Sequence, residues 1–159
     1  MTRDAHMDVR IVEFPETPVA ALEHHGAPDL EYETAKTFIA WRIANRLPPD
    51  RHRTYGLHYT DPRTTRPEDH RMDLCVSVDQ PVAPNPQGVV NKVIAGGRCA
   101  VARHLGPREF VAAAAYLTEV WLPASGETRR DAPMIFHYVN VGPGVQPHEM
   151  ITDVYLPLL

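Results

Sequence analysis

Short apolar blocks and polar breaks follow one another along the chain, and the blocks come in the same order twice. Residues 9–14 and 19–25 alternate or run apolar, are rich in β-branched residues, and read as strands. Gly26 and Pro28 break the second of them. Residues 29–46 then fit a helix, with Asp29 as N-cap, acidic Glu31 and Glu33 in the first turns, and Leu30, Phe38, Trp41 and Ile43 as its apolar side. Pro48 and Pro49 end it, and strands over 54–60 and 72–78 follow, separated by the polar, proline-marked loop 61–70.

The second half repeats this order. Residues 89–94 and 98–104 predict a hairpin turning at Ala95, Gly96 and Gly97. Pro107 suits a helix start, and Phe110, Ala114, Leu117 and Trp121 continue at helical spacing until Pro123 and Gly126 stop it. Strands over 134–139 and 151–158 close the unit. A shift of 80 residues lays VAALEHHG (19–26) over CAVARHLG (99–106) and also pairs Trp41 with Trp121, Pro67 with Pro147, and Asp73 with Asp153. A single register held across the chain predicts a tandem duplication. The expected architecture is one α+β domain over 1–159, built from two β-β-α-β-β units (about 8–79 and 89–159, with linker 80–88). Two antiparallel sheets, each carrying a helix, would be related by a pseudo-two-fold axis with a cleft at the seam.

The totals narrow the function classes. A chain of 159 residues, 43% apolar, can bury a core without disulfides. A net charge of −4, from 16 basic and 20 acidic residues, argues against direct nucleic-acid contact, which needs a basic stripe. No apolar run approaches ~18 residues, so no membrane span is expected. The polar start, 1–7, predicts no secretory leader. Two cysteines, Cys75 and Cys99, fit reduced thiols in the cytoplasm, with a single bridge left open. No histidine or cysteine spacing marks a metal site, and no glycine-rich loop or nucleophile motif marks a cofactor or a hydrolase.

Strand alternation sorts the remaining candidates. Val154, Leu156 and Leu158 share the core face of the last strand, and Asp153, Tyr155 and Pro157 the other. Leu74, Val76 and Val78 oppose Asp73, Cys75 and Ser77 in the same way. Met134, Phe136 and Tyr138 share one face, as do Tyr55, Leu57 and Tyr59. Aromatic rings beside a carboxylate suit a flat or cationic ligand. Asp153, Tyr155, Phe136, Tyr138, Tyr55 and Tyr59 are therefore expected to line one cleft. Trp41 and Trp121 fit helix core, with ligand contact from a helix edge as a second use. Packing alone would also place aromatics on strands, and Asp73 or Asp153 could simply pair with a surface base.

The ordered set YGLHYTDP, HRMDLCVSV, CAVARHLGP, VWLPASG, DAPMIFHYVN and TDVYLPLL resembles the GyrI-like small-molecule-binding family, from about Val9 to Leu158. This family includes the DNA gyrase inhibitory protein and the effector-binding domains of AraC-type and MerR-type multidrug regulators. The resemblance implies the duplicated fold, a ligand cleft at the seam and a small organic ligand, with DNA gyrase as a further partner. Some stand-alone members hydrolyse cyclopropane-bearing toxins, for which Asp153 would be the acid/base here. The family often carries Glu where this chain has Asp153, and Glu in the penultimate strand where it has Phe136. With no DNA-binding helical region expected on either side, the chain reads as a stand-alone binder rather than a complete regulator.

Overall fold

Eight strands form one continuous antiparallel sheet in the order β1-β6-β8-β7-β3-β4-β2-β5. The computed structural model describes residues 7–159, so nearly all of the polar start read above lies outside the described residues. The strands are β1 (Arg10–Phe14), β2 (Thr17–His25), β3 (Thr54–His58), β4 (Arg71–Ser77), β5 (Val90–Ile94), β6 (Gly97–Leu105), β7 (Met134–Tyr138) and β8 (Ile151–Pro157). One sheet thus replaces the expected pair, because β3 and β7 pair at the centre and join both halves.

The outer strands exchange partners. β5 and β6 do not pair with one another, as the hairpin reading required. β5 pairs with β2, and β6 pairs with β1 and β8. Two residues at 15–16 link β1 to β2, and two at 95–96 link β5 to β6, although each link joins strands near opposite ends of the sheet. Links so short can reach only if the sheet curls until its ends approach. Gly96 sits where the two links meet: a β-carbon there would lie 2.7 Å from the Glu16 backbone nitrogen and 2.9 Å from the Phe14 carbonyl oxygen. Gly96 therefore allows a crossing rather than a turn.

The curl gives the sheet an inside and an outside. Phe14 from one end and Ile94 from the other join Val19, Ala21, Tyr55, Leu57, Cys75, Cys99 and Ile135 in one inner cluster. Cys75 and Cys99 are both free thiols. Two helical segments cover the outer face. The first, α1 (Glu31–Ala44), packs Phe38 and Trp41 on Ala20, Leu22 and Val76. It starts after a 3-10 turn at Pro28–Leu30, so Asp29 is not its cap, and Leu30 and Ile43 are exposed. Buried Arg42 ties its end to the Leu47 carbonyl and to Thr54.

The second segment runs α2 (Ala112–Ala115), a π-helical stretch (Tyr116–Trp121) and α3 (Leu122–Ser125). Residues 107–110 precede it as a turn, so Pro107 does not open the helix. Pro123 lies within it rather than ending it; Gly126, in the left-handed region at φ 76°, marks its end. Pro123 has no N–H to donate back, and the widened turn just before it accommodates that loss. Ala113 and Leu117 pack on Ala100, Val154 and Leu156.

Candidate groove between the two helical segments

Between α1 and the second helical segment, the outer face of β3 and β7 is left uncovered and floors a groove of about 600 Å³. That is within the usual size for a small-molecule site. Residues directly opposite across a ladder share a face, and Gly56 faces Phe136 while His58 faces Met134. The floor is therefore Phe136, Met134 and His58. The His58 and Phe136 rings lie 3.9 Å apart between centroids. The second segment turns Ala114, Ala115 and Thr118 to the groove, and these small side chains leave its volume open. Pro28, Asp29 and Glu31 form the α1 side.

Burial decides the charge of the floor. Desolvation drops His58 from 6.5 to about 4, so its ring is neutral at pH 7. Its Nε2 lies 3.4 Å from the Tyr138 hydroxyl, and burial raises that phenol well above its ordinary range. The Arg108 guanidinium lies 5.1 Å from the Tyr138 ring centroid and is held by Thr152, Asn140 and the Ile151 carbonyl. The charged groups sit on the walls and roof. Arg63, in the loop after β3, binds Asp61 at 2.9 Å and reaches Glu119 of the second segment at 2.7 Å. Glu31 accepts from His70 Nε2 at 2.5 Å, and the Thr60 hydroxyl lies 3.0 Å from His70 Nδ1.

A second, smaller cavity of about 310 Å³ opens on the inner face, lined by Arg10, Phe14, Arg53, Tyr55, His137 and Tyr155 among others. Phe14 contacts Tyr155 and Tyr55 edge-on at 5.0 and 6.0 Å. Asp153 lies on this same side of the sheet. Both its oxygens are taken by Arg103, at 2.8 and 3.0 Å.

A family model for the GyrI-like small-molecule-binding domain matches residues 7–159. The chain belongs to the GyrI-like family. "Probable transcriptional regulator YgiV" of Escherichia coli strain K12 is 45% identical over 155 residues, covering 96% of each chain. Among solved structures, the EcmrR C-terminal domain superposes with a TM-score of 0.77 at 16% identity, over 96% of this chain and 98% of that one. An EcmrR–DNA complex matches with a TM-score of 0.74 at 15% identity, over 95% of this chain but only 57% of EcmrR. A protein containing this fold thus assembles with DNA, so the fold by itself does not exclude a nucleic-acid partner.

Within this GyrI-like chain the eight candidate residues do not meet in one place. Phe136 floors the groove with Tyr138 behind it, at 6.4 Å between ring centroids. Tyr59 stands at the rim, its hydroxyl donating to buried Asp73 at 2.7 Å. Tyr55 and Tyr155 line the inner cavity instead, and Asp153 shares their face. The separation follows from register: His137, not Phe136, faces Asp153 across the β7–β8 ladder. Trp41 is core beneath α1, stacked on Phe38 at 6.0 Å, and Trp121 packs partly buried against the second core. Sequence reasoning passed over His58, Thr60, His70, Glu31 and Arg108. Alternation along β3 places His58 on the face of Gly56, but only the pairing with β7 makes that face the groove floor.

Proposed function

We propose that this protein is an effector-type binder of a small flat aromatic molecule, seated in the groove over β3 and β7. The observation that carries this reading is the floor: Phe136, Met134 and neutral His58 lie beneath a volume of about 600 Å³ that no side chain fills. Burying about 200 Å² of aromatic surface there is worth about 5 kcal/mol before the costs of association, so ring burial alone gives millimolar binding at best and the groove's polar contacts must add to it. A cationic ring system would find carboxylates only on the walls: Asp61 is paired with Arg63 and Glu31 with His70, while Asp29 and Glu109 stand exposed away from the aromatic floor. The preference is therefore for ring area over charge. Isothermal titration with a cationic and a neutral dye of one ring system tests it. Both should bind, and Phe136→Ala should weaken both about 10-fold, the loss of roughly 1–2 kcal/mol of ring contact. A dye whose affinity survives Phe136→Ala would place the site elsewhere.

The same reading treats the two halves as copies of one unit. It is supported by registers that recur at the shift of 80: Val19 faces Ser77 as Cys99 faces Pro157, and Tyr55 faces Cys75 as Ile135 faces Tyr155. If each half is a unit with one exchanged strand, residues 7–79 expressed alone should dimerise, β1 of each copy replacing β5 beside β2 of the other. A folded monomer of that half would overturn the duplication.

A further inference from the structure

From the groove wall we infer that Glu31, His70 and Thr60 form an acyl-transfer relay, with the Thr60 hydroxyl as nucleophile toward aromatic esters. His70 is 1% exposed, and both its ring nitrogens are engaged. Glu31, an ionised carboxylate, can only accept, so His70 Nε2 carries the proton it shares with Glu31. His70 Nδ1 then holds a lone pair, and the hydrogen it accepts at 3.0 Å is that of the Thr60 hydroxyl. Thr60 Oγ1 also accepts from the Arg71 backbone N–H at 3.0 Å and lies 3.5 Å from the Arg71 carbonyl oxygen. The backbone N–H holds the oxygen in place and favours negative charge on it. A hydroxyl within reach of a base that a carboxylate orients is the arrangement of an activated nucleophile. Both Thr60 and Glu31 line the groove and are only half-buried, so an occupant can reach the hydroxyl.

The relay rests on the groove as ligand site, and it assigns that site a second activity. Thr60 Oγ1 bonds to the ester carbonyl carbon while its proton passes to His70 Nδ1. The carbon–oxygen bond to the aryl group breaks, and the departing aryloxide takes that proton, leaving acyl-Thr60. Water then attacks the acyl carbon, gives a proton to His70, and leaves as the free acid once the proton returns to Thr60 Oγ1. Glu31 is a positioning residue, which fixes the tautomer and ring orientation of His70.

The test is p-nitrophenyl acetate with the full chain. A burst of nitrophenolate equal to the protein concentration is expected, with acetyl on the peptide holding Thr60 by mass spectrometry. Near-isosteric Thr60→Val, checked for folding by circular dichroism, should abolish both. His70→Gln should slow acylation on the order of 10²–10⁴-fold, the usual worth of a general base. Glu31→Gln should lower kcat and leave KM unchanged, which a merely structural tether would not do. Acetyl found only on Lys36, Lys92 or other side chains, or a burst that survives Thr60→Val, overturns the relay. Aromatic dye binding, measured separately, keeps the two readings apart. Dye bound through Phe136 with no acyl-Thr60 sinks the relay alone; acyl-Thr60 with no Phe136-dependent dye binding upholds the relay in the groove and sinks the reading of Phe136 as a floor for aromatic ligands.

Discussion

Gly56 lies directly beneath the side chain of Tyr138: a β-carbon on Gly56 would stand 2.6 Å from the Tyr138 hydroxyl and 3.1 Å from His58 Nε2. The backbone at Gly56 is not in the left-handed region, so the space taken by that ring, and not a special conformation, requires glycine here. Gly56→Ala should push Tyr138 off its place beside Phe136. The expected loss is about 1–3 kcal/mol, the usual cost of overpacking, read by urea denaturation. Dye affinity should fall in the same variant.

The two strand carboxylates have similar surroundings in sequence and different ones in the fold. Asp73 is 1% exposed and binds Lys92 at 2.8 Å and the Tyr59 hydroxyl at 2.7 Å. Asp153 faces Arg103, which is 54% exposed. Asp73→Ala should cost about 1–3 kcal/mol, because the Tyr59 hydroxyl loses its acceptor and Lys92 loses one of its two carboxylates, keeping Glu23 at 2.7 Å. Asp153→Ala should cost under about 1 kcal/mol and leave dye binding unchanged. A large loss of dye affinity in Asp153→Ala would return the site to the inner face.

His58 gives the pH dependence a definite sign. Its folded value is held down from 6.5 to about 4 by burial, and His70 nearby adds to the effect. The unfolded chain therefore takes up a proton near pH 6.5 that the folded chain refuses. Stability is full above pH 6.5 and falls toward pH 4, by up to about 1.4 kcal/mol per pH unit. Burial lowers His137 as well, with the same sign. Asp61, Glu23 and Glu127 are held below the ordinary carboxylate range, so their losses come at lower pH. Denaturant midpoints between pH 7 and 5 should drop in the wild type and drop less in His58→Gln.

Arg63 bridges the loop after β3 and the second helical segment through Glu119, and so roofs the groove. Both partners are exposed, so the bridge should matter for entry and exit more than for stability. Glu119→Gln should raise the dye association and dissociation rates together by a few fold in stopped-flow measurements. Raising salt should do the same in the wild type and have little effect in the variant.

The sequence by itself determined the local elements. Alternation and β-branched residues place strands within a residue or two in both halves, and the outer core face of β8 follows from alternation alone; on β4 the face read as non-core is buried too, with Asp73 and Cys75 inside the curl of the sheet. Helical spacing found Phe38, Trp41 and Leu117, because a helix that packs on a sheet must repeat its apolar face locally. The tertiary structure decided which strands pair, and pairing decided the site. Ala95, Gly96 and Gly97 read as a turn, yet Gly96 is needed because the other link crosses against it, a contact between residues far apart in the chain. Phe136 and Asp153 read as neighbours because both sit on aromatic-rich strands, but one step of register puts them on opposite faces. Glu31, Thr60 and His70 show no common motif, since they come from a helix start and the two ends of a loop and meet only when the sheet folds beneath α1. Local pattern records which way a side chain points along its own strand; only the ladder between strands sets what stands beside it.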